Sequence, residues 1–297
     1  MPALAQEPSG ALFRSETRLV VLHASVVDKK GKLITNLPES AFTVYENGVQ
    51  QKIRLFRRED VPVSMGLVID NSGSMRDKRH KVESAALTLV EESNKEDEVF
   101  IVNFNDEAYL DVPFTNDLKK MEEGLTRIDS RGGTAMRDAL SMSIDYLVEK
   151  GHRDKKVLLV ITDGNDNTSG TTLEKLVHKA QQSGVLIYAI GLLNQEQRRE
   201  RKRAKRALNA LTRATGGLPY YPKEVAEVEA ITIRVAHEIR NQYVIAYSPS
   251  SPELDGSYRR IHVEVKARGN PQVRTRSGYY ATKMQSDASS LRKSSAN

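Results

Sequence analysis

The stretch VSMGLVIDNSGS, residues 63–74, decides the fold of this chain. Its first part is an almost unbroken apolar run, which is typical of a strand buried on both faces of a parallel sheet. Where that strand ends, Asp70, Ser72 and Ser74 place a carboxylate and two hydroxyls at alternate positions. These are hard oxygen ligands of the kind that small divalent cations prefer. The stretch predicts a metal site at a sheet edge, with simple closure of a turn by Asp70 and Ser72 as the alternative.

Two later segments can supply further ligands to the same edge. Residues 155–164 (KKVLLVITDG) form a second apolar run that ends in Asp163, and Gly132-Gly133-Thr134 is a glycine loop that carries a hydroxyl to the start of a helix. In an open α/β sheet the carboxyl ends of parallel strands face one crevice. We therefore expect two carboxylates and three hydroxyls to meet there.

With these residues the chain resembles the von Willebrand factor type A domain and its metal-ion-dependent adhesion site. The Asp-x-Ser-x-Ser, Thr and Asp elements of that family are matched by Asp70, Ser72, Ser74, Thr134 and Asp163. The resemblance implies that the two serines and the threonine bind Mg2+ directly, with Mn2+ or Ca2+ as alternatives, and that the aspartates act partly through water. It also implies a non-catalytic, metal-dependent adhesion module whose metal captures an exposed Asp or Glu of a protein partner.

A Mg2+-dependent hydrolase that uses the same crevice is the alternative function. It would need a general base besides the two aspartates. The sequence shows no Gly-x-Ser-x-Gly elbow, no His-Glu-x-x-His spacing and no phosphate-binding Gly-x-x-x-x-Gly-Lys loop. We therefore expect no enzymatic activity and assign no catalytic residues.

Residues 163–174 also come close to the spacing of an EF-hand calcium loop. Thr168 stands where the sharp turn of that loop needs glycine, and a buried strand precedes it instead of a helix. We expect Asp163 to belong to the shared site and not to a separate calcium loop.

Composition limits the partners. The chain has 297 residues, of which 39% are hydrophobic, and it has no cysteine, so disulfides and thiolate metal sites are excluded. The net charge of +6 is concentrated in residues 198–206 (RRERKRAKR), which run from Arg198 to Arg206. Such a run is most often a solvated helix end, and the alternative is a patch for an anionic surface or an acidic partner. Because no aromatic residues are interleaved with it, nucleic acid is an unlikely partner.

Strand and helix patterns alternate through residues 61–240, which predicts an α/β fold with a doubly wound, mostly parallel, Rossmann-like sheet. The flanks, residues 14–60 and 241–280, instead show half-buried antiparallel strands, including an Asn47-Gly48 hairpin and one strand over residues 273–280. Neither flank has enough strands for its own core. We predict that both build one β-sandwich into which the α/β domain is inserted, a layout that resembles bacterial proteins with a VWFA-related domain.

The two ends carry little pattern. We predict a disordered N-terminus over residues 1–13, where Ala3-Leu4-Ala5 resembles the end of a truncated signal peptide, with an ordinary frayed terminus as the alternative. Residues 281–297 are predicted to be a disordered tail. No run of about 18 apolar residues is present, so no membrane span is expected. The expected location is secreted, periplasmic or at the cell surface.

Overall fold

The apolar run of residues 63–70 forms the central strand of a six-stranded sheet in the computed structural model, which describes residues 19–58, 60–126 and 130–282. All eight residues of this strand are buried. With strands numbered in chain order, the sheet runs through β10 (Pro219–Tyr220), β9 (Leu186–Gly191), β8 (Lys155–Thr162), β5 (Val63–Asp70), β6 (Glu98–Phe104) and β7 (Ala108–Thr115). Every neighbouring pair is parallel except β6 and β7, the predicted antiparallel edge pair.

In the part of the chain that the structure describes, six α-helices cover this sheet on both faces. They are α1 (Arg79–Glu91), α2 (Leu118–Thr126), α3 (Met136–Lys150), α4 (Leu173–Ser183), α5 (Arg198–Thr215) and α6 (Val228–Arg240). One hydrophobic core joins the sheet to α1, α2 and α6, and a second joins its other face to α3, α4 and α5. Two cores on opposite faces of a parallel sheet define a doubly wound fold, so the predicted fold class is confirmed.

Within the described ranges, two further sheets of four strands each flank this unit, and they share a third core. One has the order β13-β1-β11-β4 and the other β14-β12-β2-β3. Their strands are β1 (Val20–Val27), β2 (Phe42–Glu46), β3 (Val49–Gln51), β4 (Ile53–Arg57), β11 (Tyr243–Tyr247), β12 (Tyr258–Val265), β13 (Gln272–Arg274) and β14 (Gly278–Tyr280). Each sheet therefore takes strands from both sides of the α/β unit. The exact domain boundaries at residues 14, 60, 241 and 280 stay a prediction.

The predicted single strand over residues 273–280 is wrong, because the structure breaks it into β13 and β14. β13 pairs with β1 in one sheet, whereas β14 pairs with β12 in the other. The chain crosses between the sheets at residues 275–277, and it does so close to β12: a Cβ on Gly278 would lie 2.3 Å from the carbonyl oxygen of Arg259. Residues 274–277 (RTRS) contain no glycine or proline that would mark a break, so the sequence pattern does not reveal this crossover.

The predictions for the two ends fall largely on residues that lie outside the described ranges. These are residues 1–18, which include the predicted N-terminal segment, and residues 283–297 of the predicted tail. Among the described residues, no helix is both long and apolar enough to cross a membrane.

Candidate metal site at the carboxyl edge of the sheet

Asp70 is the last residue of β5, and its side chain is fully buried. Its Oδ1 accepts a hydrogen bond from the backbone N–H of Ser72 at 2.8 Å, and its Oδ2 accepts one from the hydroxyl of Thr162 at 2.6 Å. Burial raises the pKa of Asp70 to about 6, although the hydrogen bonds from Ser72 and Thr162 favour the charged form. The hydrogen bonds thus hold the carboxyl group in one orientation. Because it is buried away from water, its ionisation costs free energy.

The two serines and Asp163 form a chain of contacts beside Asp70. Ser72 and Ser74 lie at the start of a short 3-10 helix (Gly73–Met75), and their hydroxyl oxygens are 3.2 Å apart. The hydroxyl of Ser74 donates to Oδ1 of Asp163 at 2.8 Å. The ends of β5 and β8 therefore bring these three oxygen-bearing side chains together, as their strand positions predict.

The glycine loop packs against the same place. Arg131 N donates to the carbonyl oxygen of Asn71 at 3.0 Å, and Gly73 N donates to that of Gly132 at 3.2 Å. Gly132 has a φ of +73°, a conformation that favours glycine. Thr134, which follows in this loop, is buried, and a Cβ built on Gly164 would lie 3.8 Å from its Oγ1. Thr134 thus lies near Gly164, the neighbour of Asp163, at the edge of the sheet that carries the other four predicted residues.

Polar side chains that the sequence interpretation left aside hold this loop in position. Asp106, just after β6, accepts a hydrogen bond from Gly133 N at 2.7 Å. Asn167 Oδ1 accepts from Thr134 N at 2.9 Å, and Asp166 pairs with the guanidinium of Arg137 at 2.8 Å. Two residues of the calcium-loop-like segment therefore bind Thr134 and the first turn of α3. The end of β6 at the same sheet edge is the signal that could have identified Asp106.

Two charged residues at the site were not predicted. Lys78 Nζ lies 2.5 Å from Asp163 Oδ2 and 3.3 Å from the carbonyl oxygen of Ser74, and the whole residue is only 6% exposed. Glu196 follows β9, and its Oε1 would be 3.7 Å from a Cβ on Gly164. Burial and the charge of Asp163 raise the pKa of Glu196, while Lys78 opposes this. Its place after a fourth parallel strand is the signal that could have identified it.

The donor set has the chemistry of a small, hard divalent cation such as Mg2+. It combines two carboxylates with three hydroxyls, and its charged oxygens already attract a cation, the Lys78 ammonium. Within the described ranges, no three His, Cys, Asp or Glu side chains are grouped so as to hold a metal ion. Metal binding by these residues stays a prediction.

The basic run lies next to this crevice, because α5 begins at Arg198, two residues after Glu196. Arg198, Arg199, Lys202 and Arg203 are exposed, whereas Ala204 and the later leucines are buried against the sheet. Arg203 pairs with Glu200 at 3.3 Å. The helix thus presents a solvated cationic surface beside the candidate metal site.

Comparison with known proteins agrees with this geometry. Residues 65–165, which hold the ends of β5 and β8 and the glycine loop, match the sequence model of the von Willebrand factor type A domain. The chain contains a von Willebrand factor type A domain. Over 108 residues it is 32% identical to integrin alpha-11 of Mus musculus, which covers 34% of this chain and 9% of the integrin. Over 148 residues it is 26% identical to inter-alpha-trypsin inhibitor heavy chain H4 of Bos taurus, which covers 44% of this chain and 16% of that protein.

Solved structures share the fold beyond the matched segment. The von Willebrand factor type A protein from Catenulispora acidiphila aligns with a TM-score of 0.53 at 13% identity, over 88% of this chain and 73% of its own. The vWF domain of the type V pili tip protein Mfa5 from Porphyromonas gingivalis aligns with a TM-score of 0.50 at 13% identity, over 61% of this chain and 95% of its own. The present chain spans less than a fifth of the two sequence relatives named above, so the likeness to them concerns this domain.

Proposed function

We propose that this protein is a non-catalytic binding module that uses a divalent cation, Mg2+ or in its place Mn2+ or Ca2+, to capture an acidic side chain of a protein partner. The ligands in this proposal are Asp70, Ser72, Ser74, Thr134 and Asp163. The observation that supports it most is the chain of side-chain contacts from Ser72 through Ser74 to Asp163, with the glycine loop before Thr134 hydrogen-bonded to the backbone beside it. Its sequence relatives include an integrin, and members of the domain family act mainly as adhesion and protein-interaction modules.

The ligand composition explains why such a site would bind carboxylates. A bound cation supplies an electrophilic position at the crevice. Ser72, Ser74 and Thr134 offer neutral oxygens, so they would leave most of its positive charge available to an acidic partner. Asp70 and Asp163 supply negative charge from the buried floor of the site. The hydrogen bonds from Thr162 and from Ser72 N orient Asp70 before any ligand arrives.

The experiment compares two peptide libraries that differ only in a central Glu or Gln, each displayed to the wild-type protein in Mg2+ and in EDTA. We expect the Glu library to bind when Mg2+ is present and not in EDTA. Its affinity should fall at least tenfold in Thr134→Ala, because one neutral ligand is removed while the fold is kept. Equal binding of Glu and Gln peptides, or binding that EDTA leaves unchanged, would contradict the proposal.

The basic start of α5 would serve as a second contact for an acidic partner. Neutralising Arg198, Arg199 and Lys202 should then reduce the salt dependence of binding without removing its need for metal. If the basic helix is instead the main contact, binding should survive EDTA and disappear at high salt. Measuring the dependence of binding on EDTA and on salt concentration distinguishes a metal-centred contact from a contact with the basic helix.

Hydrolysis at the same crevice is the second candidate function, and Glu196, which lies beside Gly164, is the carboxylate that would act as its general base. It predicts Mg2+-dependent turnover of a phosphate ester or peptide that Glu196→Gln removes. We favour binding, since the relatives of the domain act in adhesion. A secreted, periplasmic or cell-surface location stays a prediction, and fractionation of the producing cells tests it.

A further inference from the structure

We propose that Lys78 is a built-in cation that holds Asp163 in the metal-free protein and competes with a divalent cation for it. This inference rests on the proposed function, since it concerns the same site. It adds a residue outside the five-residue motif, and it predicts that the affinity of the site for metal is set by exchange between two cations.

The ammonium of Lys78 is buried and makes polar contacts with protein atoms in place of water. Its ammonium lies 2.5 Å from Asp163 Oδ2, and the side chains are 8% and 1% exposed. It also donates to the carbonyl oxygen of Ser74 at 3.3 Å. Lys78 is thus bonded to a proposed metal ligand and to the backbone of a second one.

Helix formation does not explain a lysine at this position. Lys78 is the N-cap residue of α1, and its side chain caps no backbone N–H there. Ser, Thr, Asp and Asn are the residues that stabilise this position, and a positive charge at the N-terminus of a helix opposes the helix dipole. The neighbouring arginines bind elsewhere: Arg76 contacts the carbonyl oxygen of Ser130, and Arg79 pairs with Glu83. The stabilising contact that Lys78 makes is therefore the one with Asp163.

The charge balance at the crevice gives a reason for this contact. Asp70 and Asp163 are buried, and Glu196 is close enough for the charge of Asp163 to act on it. A buried carboxylate without a compensating charge is strongly destabilising. Without metal, the Lys78 ammonium supplies that compensation and keeps Asp163 bonded to Ser74.

The same ammonium must disfavour a second cation. A positive charge within about 5 Å of a divalent ion weakens its binding by roughly tenfold or more, depending on how well water screens the pair. Lys78 would therefore lower metal affinity while it stabilises the metal-free site. These two effects have opposite signs, and a single substitution separates them.

The test substitutes Lys78→Met, which keeps the aliphatic stem and removes the charge, with Lys81→Met as the matched control on the exposed side of the same helix. Thermal unfolding in EDTA and calorimetric titration with Mn2+ are measured for both variants and the wild type. We expect Lys78→Met to lower the melting temperature in EDTA by about 5–10 °C and to bind Mn2+ about tenfold more tightly. Mn2+ should then restore most of the lost melting temperature, and Lys81→Met should match the wild type.

Three results would overturn this inference. They are an unchanged melting temperature in EDTA, Mn2+ binding to Lys78→Met that is no tighter than in the wild type, or the same effects in Lys81→Met. If Lys78→Met does not fold in EDTA, Lys78→Gln keeps a neutral donor and takes its place. Wild-type binding of Mn2+ with no gain in the variant overturns the role of Lys78 alone, whereas no Mn2+ binding by either protein overturns the proposed function as well.

Discussion

Asp70 is both a structural residue and the central proposed ligand. The sequence places it at the head of a loop, which would make its removal harmless to the fold. The structure instead buries it completely and satisfies both of its oxygens, with Ser72 N and with the hydroxyl of Thr162. Asp70→Asn, which keeps the size of the side chain, is therefore a cleaner variant than Asp70→Ala.

The pKa of Asp70 has a measurable consequence for stability. Because that pKa is about 6 and lies above its ordinary value, the metal-free folded protein keeps a proton that the unfolded chain releases between about pH 4 and pH 6. The free energy of unfolding should therefore fall as the pH rises through this window, by roughly 2–3 kcal/mol from this group.

Urea unfolding in a chelator at pH 4, 5 and 6 checks this pH dependence, with Asp70→Asn as the comparison. The difference between the two proteins isolates the contribution of Asp70 from those of the other carboxyls. Identical pH slopes in the wild type and the variant would show that Asp70 titrates at its ordinary pKa.

For single residues, the sequence identifies the proposed metal ligands but not the charged residues around them, Lys78 and Glu196. Asp70, Ser72, Ser74 and Asp163 lie at or just after strand ends, and Thr134 lies in a glycine loop before a helix, so the parallel-sheet rule places their oxygens at one edge. Lys78 stands in the polar string 76–81, which looks like a solvated helix start. Its burial depends on the contact with Asp163, which follows β8 and is 85 residues away in the chain, and no local pattern encodes that.

Strand β5 lies at the centre of the sheet and ends in Asp70, so it is part of both the core and the proposed site. Its residues reach both hydrophobic cores, and Gly66 lets the neighbouring strands pack closely: a Cβ there would lie 2.3 Å from the ring of Phe100 and 2.5 Å from Leu158. The apolar run predicts this strand directly, because burial on both faces removes the alternation of an exposed strand. It does not predict why residue 66 is glycine, which depends on the side chains of two other strands.

Gly66→Ala should consequently destabilise the protein by about 2–3 kcal/mol, since a methyl group has to be inserted into a packed core. Gly170→Ala is the control, because a Cβ there would lie 4.0 Å from Asp138 Oδ2 and the residue is exposed. Chemical denaturation measures both variants. A loss below about 0.5 kcal/mol in Gly66→Ala would mean that β6 and β8 can yield at this position.

The whole molecule is held together by strands that alternate between the two flanks. β1 lies between β11 and β13, and β4 pairs with β11. The described strand partners of β1 and β4 therefore all come from the C-terminal flank. Buried Glu46 reinforces this arrangement by accepting hydrogen bonds from Tyr247 and Tyr279. The sequence predicts a shared sandwich from the small number of strands in each flank. It does not predict which sheet each strand joins, because alternation marks a buried face and not a neighbour.

A fragment of residues 61–240 should therefore fold and keep its metal affinity, whereas residues 1–60 alone should not fold. Among the residues of the short fragment that the structure describes, β2 and β3 are the two named strands that keep a strand partner, and a two-stranded hairpin is marginal in water. Dispersion of amide signals in NMR spectra checks both pieces. A cooperatively folded 1–60 peptide would show that the flanks do not depend on each other.

Titration calorimetry of the wild-type protein, Asp70→Asn and Thr134→Ala with Mg2+ and Mn2+ tests the proposed metal site most directly. The variants remove one charged and one neutral ligand from different loops, and both should stay folded by circular dichroism. We predict one divalent ion bound per wild-type chain and at least a tenfold weaker affinity in each variant. An affinity that is the same in all three proteins, or no binding by the folded wild type, would contradict a metal site at the carboxyl edge of the sheet.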